Sequence, residues 1–469
     1  MNGLLLESAT RLAQRIRDRE VTSEEVVRVH IEHAKRTHSR LNAIVMDRYD
    51  AATAEALAAD ARVRKSSKDL PIFWGVPCSI KECYALTGMP QSSGLVSRKD
   101  FRATEDAPSV ARIRAAGAIP IGVTNTSELC MWMESSNQLY GRTNNPYDKR
   151  RTAGGSSGGE GALIGAGVTP FGLGSDIGGS IRMPAFFCGV FGHKPTPGVI
   201  PTAGQFPVAH GTPLRLLTTG PLARRAEDLW PLVSLLADPG KLMGKPDDVR
   251  LRDLIVLDVP DNGRLRVSKA LRAAQVEAAD ALAKRGAKVR EFRSDALAKS
   301  IEIWAALMAE SEGPTFSEML GGGAAIKPVR ELAKWSIGQS DHTFPAIGLA
   351  LLEKLDTLRG PAAKRMASLA HTLRHEIEDA LGDHGVMLFP SYTRVAPRHN
   401  TPIALPIQWM YTAIFNALEL PVTQVPLGLD ARGVPLGVQV VGAQYRDAIT
   451  IAVARALEEE LGGWVPPPQ

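Results

Sequence analysis

Two glycine-rich loops dominate the middle of the chain. The segment Thr152–Arg182 reads TAGGSSGGEGALIGAGVTPFGLGSDIGGSIR and places Ser156 in the first loop and Ser180 in the second. By count, 14 of the 43 glycines lie between Gly154 and Gly198. Glycine concentrates where the backbone bends sharply or approaches a ligand closely. The segment therefore predicts a site at which backbone N–H groups stabilise an anion.

Three other interpretations of this segment fit less well. A flexible Gly/Ser linker is coil-like, but apolar residues follow the first loop at once, and residues 168–173 predict a short buried strand. A P-loop needs a lysine before its final Ser or Thr, and Gly179-Ser180-Ile181 has none. The stretch Gly154–Gly158 matches the G-x-S-x-G pattern of a nucleophile elbow, but no buried strand precedes it.

Several longer segments carry a resemblance to a known family. They are GGSSGGEGALIGAG, GSDIGGSIRMPAFFCGVFGHKPTPG, the stretch 75–82, and the stretches 127–148 and 420–442. Together they resemble the amidase signature family, and most of all its fatty-acid amide hydrolase branch. The similarity extends across nearly the whole chain, with the signature core at about residues 70–200.

The resemblance implies a Ser-Ser-Lys triad without histidine. Ser180 would be the nucleophile that forms the acyl-enzyme, Ser156 the bridging hydroxyl and Lys81 the base. Lys81 and Ser156 are 75 positions apart, and Ser156 and Ser180 are 24 apart. A serine is a weak nucleophile until a base removes its proton, and a lysine does so only when neutral. Burial disfavours the ammonium form, and Lys81 follows the apolar run 72–76. We therefore expect activity to rise toward alkaline pH.

The resemblance also implies an oxyanion hole built from the backbone N–H groups of Ile177, Gly178, Gly179 and Ser180. Donors of this kind stabilise the tetrahedral intermediate of acyl transfer. Ser180 is further expected to cap a short helix over residues 181–187, which would direct the positive end of the helix dipole at the developing charge.

Three more features follow from the resemblance. The peptide bond between Gly155 and Ser156 is expected to be cis. Cys130 corresponds to a residue whose backbone carbonyl contacts the substrate. Asp176 and Arg182 flank the nucleophile and are expected to brace its loop rather than take part in the chemistry.

Histidine-based catalysis is the main rival. His193 is the best candidate for such a base, whereas the histidines of the N-terminal helix, including His30, are expected to be solvated. His371 and His375 lie one helical turn apart but lack a third ligand, and the four cysteines contain no CxxC pair. We therefore expect no metal site and no cofactor.

Strand and helix patterns alternate along the chain, as a layered α/β protein requires. Residues 110–116 predict a helix and 118–123 a buried strand, while 422–429 and 434–441 predict a hairpin. Since antiparallel strands then lie beside crossover units, the fold class is α/β, with a mixed sheet covered by helices on both faces. No linker or internal repeat divides the chain, so a single amidase domain over 1–469 is expected.

Charge and hydropathy limit the partners. The net charge of +5 is spread over the chain without a basic stripe, so no nucleic acid is expected. The apolar run Leu4–Leu6 is too short for a signal peptide or a membrane span. A cytoplasmic location without a transmembrane segment is expected, with peripheral membrane contact and homo-oligomerisation left open. Residues 344–352 resemble the part of the family associated with the acyl channel and membrane contact, and a core helix is the alternative.

These features predict a serine amidase that cleaves linear carboxylic amides to an acid and ammonia or an amine. The leading substrates are small-molecule amides of fatty acids, which are lipids. Three alternatives stay open: an aryl or short-chain amidase or esterase of the same family, a subunit of the glutamine amidotransferase A type, and a noncatalytic binding protein on the same scaffold.

Overall fold

Continuous apolar runs form the middle strands of the central sheet. Ile119–Thr124, Phe171–Asp176 and Gly385–Pro390 are buried along their whole length. Strands without polar alternation need cover on both faces. In the computed structural model, which describes residues 2–353 and 360–468, helices supply that cover.

The described part of the chain contains thirteen strands. They are β1 (Ile44–Asp47), β2 (Pro77–Lys81), β3 (Ile119–Thr124), β4 (Ser136–Asn137), β5 (Gly141–Arg142), β6 (Phe171–Asp176), β7 (Phe191–Lys194), β8 (Thr218–Ala223), β9 (Ile255–Asp258), β10 (Lys288–Glu291), β11 (Gly385–Pro390), β12 (Val422–Leu429) and β13 (Pro435–Gly442).

Eleven of these strands form one sheet in the order β1-β3-β2-β6-β8-β7-β12-β13-β11-β9-β10, and β4 pairs with β5 separately. The pairs within β3-β2-β6 and within β11-β9-β10 are parallel. The other neighbours are antiparallel, including the hairpin β12-β13. The sheet is therefore mixed, and the expected hairpin is confirmed.

Seventeen α-helices belong to the same described part. They are α1 (Ala9–Arg17), α2 (Ser23–Leu41), α3 (Tyr49–Lys65), α4 (Pro108–Ala115), α5 (Gly158–Gly165), α6 (Arg182–Phe187), α7 (Thr212–Leu216), α8 (Leu229–Leu236), α9 (Lys269–Lys284), α10 (Ser300–Met308), α11 (Phe316–Leu320), α12 (Pro328–Ser336), α13 (Phe344–Leu352), α14 (Pro361–Leu381), α15 (Thr401–Ala404), α16 (Met410–Ala417) and α17 (Asp447–Leu461). Among the residues described, no helix combines the length and the apolar character that a membrane span requires.

Two apolar clusters cover the two faces of the sheet. Successive strand residues point to opposite faces, and Val440 and Val441 of β13 belong to different clusters. The cluster that contains Val440 also holds apolar residues of α17, such as Leu457. The cluster that contains Val441 holds residues of α14 and α16, such as Leu373 and Ile414. The expectation of a single α/β domain with a mixed sheet between helices is confirmed.

The strand expected at residues 168–173 begins three residues later, so that boundary was wrong. The N–H of Val168 bonds to Leu163 O at 2.9 Å, which ends α5. Pairing between β6 and β8 begins at Phe171, opposite Ala223. The pairing continues to Asp176, opposite Thr218. The loop that carries Ser180 therefore starts directly at the carboxyl end of β6.

The strand that supports this loop depends on an aromatic contact. Phe171 is fully buried, and its ring centroid lies 5.2 Å from that of Phe73. We expect Phe171→Ala to lower the free energy of unfolding by about 3–5 kcal/mol because it leaves a cavity in the core. Urea denaturation measures this loss. The control is Phe101→Ala at a ring that is 42% exposed, where a loss below about 1 kcal/mol is expected. Equal losses in the two variants would contradict the assignment of Phe171 to the core.

Candidate active site

Lys81 is the last residue of β2, and its side chain is fully buried. Since β2 is parallel to both β3 and β6, the carboxyl ends of the three strands meet at the same edge of the sheet. The Lys81 Nζ lies 2.6 Å from Ser156 Oγ and 2.9 Å from Ser175 Oγ. A buried amine between two hydroxyl groups is placed to exchange protons with either of them.

Ser175 contacts Lys81, although no sequence motif singles it out. The side chain lies at the end of β6, one residue before Asp176. The register of β2 and β6 places Ile80 opposite Leu173, which brings Lys81 beside the end of β6. This register is the signal that could have identified Ser175, and it is available only from the sheet.

Ser156 lies in a tightly packed turn. The peptide bond between Gly155 and Ser156 is cis, as the resemblance implies. A Cβ atom at Gly155 would lie only 2.5 Å from Trp132 O, so the turn has no room for a side chain there. The Ser135 hydroxyl donates to Ser156 O at 2.9 Å and accepts the N–H of Gly158 at 2.8 Å. Ser135 thus fixes the turn that presents Ser156 to Lys81.

Ser180 is half-buried and lies in the loop between β6 and α6. Its carbonyl accepts the N–H of Ser157 at 3.2 Å, which joins the two glycine-rich loops. Within residues 2–353 and 360–468, however, its hydroxyl makes no hydrogen bond. The structure therefore contains the contact between Lys81 and Ser156 but no hydrogen bond between Ser156 and Ser180.

The expected helix cap at Ser180 was wrong. The helix α6 begins at Arg182, and its N-cap residue is Ile181, without a side-chain cap. The Asp176 carboxylate takes that role, because its Oδ2 accepts the N–H of Ile181 at 3.0 Å and that of Arg182 at 3.4 Å. No described residue forms a hydrogen bond with the Ser180 hydroxyl.

Asp176 and Arg182 form a buried ion pair that braces the loop, as expected. The Arg182 Nη2 donates to Asp176 Oδ1 at 2.8 Å, and neither side chain has any exposure. Burial alone would raise the pKa of Asp176, but the Arg182 guanidinium more than offsets this effect and holds that pKa well below its usual range. Arg182 also donates to Thr412 O at 2.8 Å, so the brace reaches α16.

One of the four N–H groups expected to form the oxyanion hole already donates a hydrogen bond within the protein. The Gly179 N–H donates to Asp176 Oδ1 at 2.7 Å. The N–H groups of Ile177, Gly178 and Ser180 have no acceptor in the part of the chain that the structure describes. This arrangement narrows the expected hole from four donors to three, with Gly179 acting as part of the brace.

Cys130 lies in the short 3-10 turn Glu128–Cys130, with a left-handed φ of 59°. Its carbonyl accepts no hydrogen bond from the described residues. The turn is held by the Glu128 carboxylate, which lies 2.7 Å from His342 Nδ1 and accepts the N–H of Thr343 at 2.8 Å. Although burial lowers the pKa of His342, the hydrogen bond and charge of Glu128 raise it overall. The turn is therefore tied to the start of α13.

A cleft of about 490 Å³ opens beside this turn. Its wall combines apolar residues, such as Trp132, Trp335, Phe344 and Ile403, with charged ones, Glu134 and Arg142. Lys81, Ser156 and Ser180 do not line it. The segment 344–352 forms α13, in which Ala346, Ile347 and Ala350 are buried. The helix thus serves as a core helix along one side, and its first residues line the cleft.

His193 does not contact either serine. Its Nδ1 lies 2.9 Å from Thr423 Oγ1, and its Nε2 lies 3.1 Å from Asp447 Oδ1. Both ring nitrogens are therefore in use, and the rival base is not placed to activate Ser180. In the described part of the chain, no group of three or more His, Cys, Asp or Glu side chains could hold a metal ion.

Comparison with known proteins identifies the family of the chain. The family model described as Amidase matches residues 25–451. The chain is 45% identical over 482 residues to fatty-acid amide hydrolase 2 of Homo sapiens, covering 99% of this chain and 91% of that protein. It is 30% identical over 474 residues to indoleacetamide hydrolase of Bradyrhizobium diazoefficiens, covering 97% and 86%. A solved structure of 6-aminohexanoate cyclic dimer hydrolase complexed with substrate matches with a TM-score of 0.80 at 25% identity, covering 99% of each chain. The chain belongs to the amidase signature family and is an amide-hydrolysing enzyme.

Proposed function

We propose that this enzyme hydrolyses fatty-acid amides to the fatty acid and ammonia or an amine, through an acyl-enzyme on Ser180. Ser156 relays protons between Ser180 and Lys81. The reaction uses no metal or organic cofactor, and its substrate is a small lipid amide.

The observation that carries the proposal is the contact between Lys81 Nζ and Ser156 Oγ at 2.6 Å, with Lys81 fully buried. Burying a lysine without a carboxylate partner is unfavourable, so such residues concentrate at functional sites. The missing hydrogen bond between Ser156 and Ser180 does not oppose the relay, because catalytic hydrogen bonds are often long or unformed before substrate binds.

In the first step the Ser180 Oγ attacks the amide carbonyl carbon. Its proton passes to Ser156 Oγ while the Ser156 proton passes to neutral Lys81, which becomes an ammonium. The carbonyl oxygen becomes an oxyanion that accepts hydrogen bonds from the N–H groups of Ile177, Gly178 and Ser180. Each such donor is worth about 3–4 kcal/mol to the rate.

In the second step the Lys81 ammonium returns its proton through Ser156 to the amide nitrogen. The C–N bond breaks, ammonia or an amine leaves, and Ser180 carries the acyl group as an ester. Water then attacks this ester, gives its proton to the same relay and releases the carboxylic acid. Proton return regenerates Ser180, and the sum is amide plus water to acid plus amine.

The acyl preference is supported by the relatives. The relative at 45% identity is named for fatty-acid amides, whereas the relative at 30% identity is named for indoleacetamide. An aryl-amide preference is therefore the second candidate.

Replacing either end of the relay should abolish turnover of oleamide. We expect Ser180→Ala and Lys81→Ala each to lower kcat by about 10⁴-fold or more, because removing the nucleophile or its base disables the whole unit. Release of oleic acid, measured by mass spectrometry, reports the rate. The exposed Ser97→Ala and Lys99→Ala variants serve as controls, and full activity in Ser180→Ala would refute the proposed nucleophile.

The same assay tests the substrate class. The proposal predicts that kcat/KM for oleamide exceeds that for phenylacetamide and butyramide by at least about tenfold, because burying the longer chain stabilises the transition state. A higher kcat/KM for phenylacetamide would replace the lipid assignment with the aryl one while leaving the triad intact.

The rate should depend on pH through Lys81. Since an amine accepts a proton only when neutral, kcat for oleamide should rise from pH 6 toward alkaline pH. Pre-steady-state measurement of the acylation rate checks that chemistry limits turnover. A flat profile of the acylation rate from pH 6 to 10 would exclude a lysine base.

A further inference from the structure

The loop 176–180 has a regular arrangement of its peptide groups. In a trans peptide the C=O of one residue and the N–H of the next point in opposite directions. The only cis bonds in the described chain are Gly155–Ser156 and Phe206–Pro207, so every peptide of this loop is trans. A partner that holds a carbonyl on one side therefore aims the following N–H toward the other side.

Each carbonyl along the loop has such a partner. Asp176 O accepts from Thr218 Oγ1 at 3.2 Å and from Asn416 Nδ2 at 3.1 Å. Gly179 O accepts the N–H of Met183 at 2.7 Å. These contacts aim the N–H groups of Ile177 and Ser180. The carbonyl groups of the two peptides between them accept hydrogen bonds from side chains more than a hundred positions away in sequence.

The two middle peptides differ in what their N–H groups do. Gly178 O accepts from Thr412 Oγ1 at 2.8 Å, while the N–H of the same peptide, on Gly179, donates to Asp176. That peptide is fixed at both ends. Ile177 O accepts from Trp304 Nε1 at 2.8 Å, while the N–H of that peptide, on Gly178, has no acceptor among residues 2–353 and 360–468.

We propose that Trp304 is a positioning residue for the oxyanion hole: its indole N–H holds the Ile177 carbonyl and so aims the Gly178 N–H at the oxyanion. This inference rests on the proposed function, because it takes Ser180 as the nucleophile beside that donor. Trp304 touches the loop and not the reacting atoms.

The indole is held in place by packing. Its ring centroid lies 4.6 Å from that of Trp409, at an interplanar angle of 82°. A Cβ atom at Gly178 would lie 3.4 Å from the Trp409 ring and 3.6 Å from the Trp304 ring, so both indoles lie against the glycine that carries the free N–H. The pair thus limits rotation of the peptide between Ile177 and Gly178.

The test is Trp304→Phe, which keeps an aromatic ring and removes the N–H. We expect kcat for oleamide to fall by about 10- to 100-fold, somewhat less than for outright loss of an oxyanion donor, with KM changed by less than about twofold, because the hydrogen bond acts on the transition state. The matched control is Trp74→Phe, which removes an indole N–H that donates to Ala59 O at 3.3 Å, away from the loop. That variant should keep the wild-type kcat.

A second variant separates the hydrogen bond from packing. Benzothienylalanine at position 304 keeps the size of the indole and replaces its N–H with sulfur, and it should reproduce the fall in kcat while the melting temperature stays at the wild-type value. Wild-type kcat in both variants would overturn the proposal, and so would a raised KM with unchanged kcat, since Trp304 would then contact the acyl chain. Activity retained in Ser180→Ala would separately disprove the triad.

Discussion

The buried ion pair between Asp176 and Arg182 is the interaction on which the rest of the site depends. Its carboxylate holds the N–H groups of Gly179 and Ile181, and its guanidinium reaches the Thr412 carbonyl. Removing one partner would leave the other charge buried, which costs about 3–5 kcal/mol. The pKa of the Asp176 carboxyl is lower in the folded protein than in the unfolded chain. The ionised carboxylate therefore stabilises the fold at neutral pH, and this stabilisation declines as the pH falls below about 4.

The two serines of the site differ in whether their side chains already form hydrogen bonds. Lys81 and Ser156 are already in contact, within a turn that Ser135 fixes. Ser180, by contrast, is half-buried. Among the described residues, neither its hydroxyl nor the N–H groups of Gly178 and Ser180 have a hydrogen-bond partner. Such an arrangement suits acyl transfer, because donors fixed in advance need no reorganisation when charge develops on the substrate.

Sequence patterns predicted those parts of the molecule that depend on neighbouring residues. The apolar run at 118–123 formed a buried strand, and the hairpin near the C-terminus formed as expected. Errors arose where the fold buries or pairs groups in a way that the sequence pattern does not show. Asp176 took the N–H groups that a Ser180 cap would have used, and His30, expected to be solvated, is buried with its Nδ1 2.7 Å from Val26 O. The contact of Trp304 with Ile177 spans 127 positions, and only the folded sheet brings them together.

Covalent labelling shows whether Ser180 is the nucleophile of a Ser-Ser-Lys unit. A fluorophosphonate probe loses fluoride when a serine oxygen attacks phosphorus, so intact-mass analysis counts the adducts and peptide mapping locates them. We expect one adduct per chain on Ser180, absent in Ser180→Ala, slowed in Lys81→Ala and retained in His193→Gln. An adduct that persists in Ser180→Ala, or labelling that is lost only in His193→Gln, would contradict it.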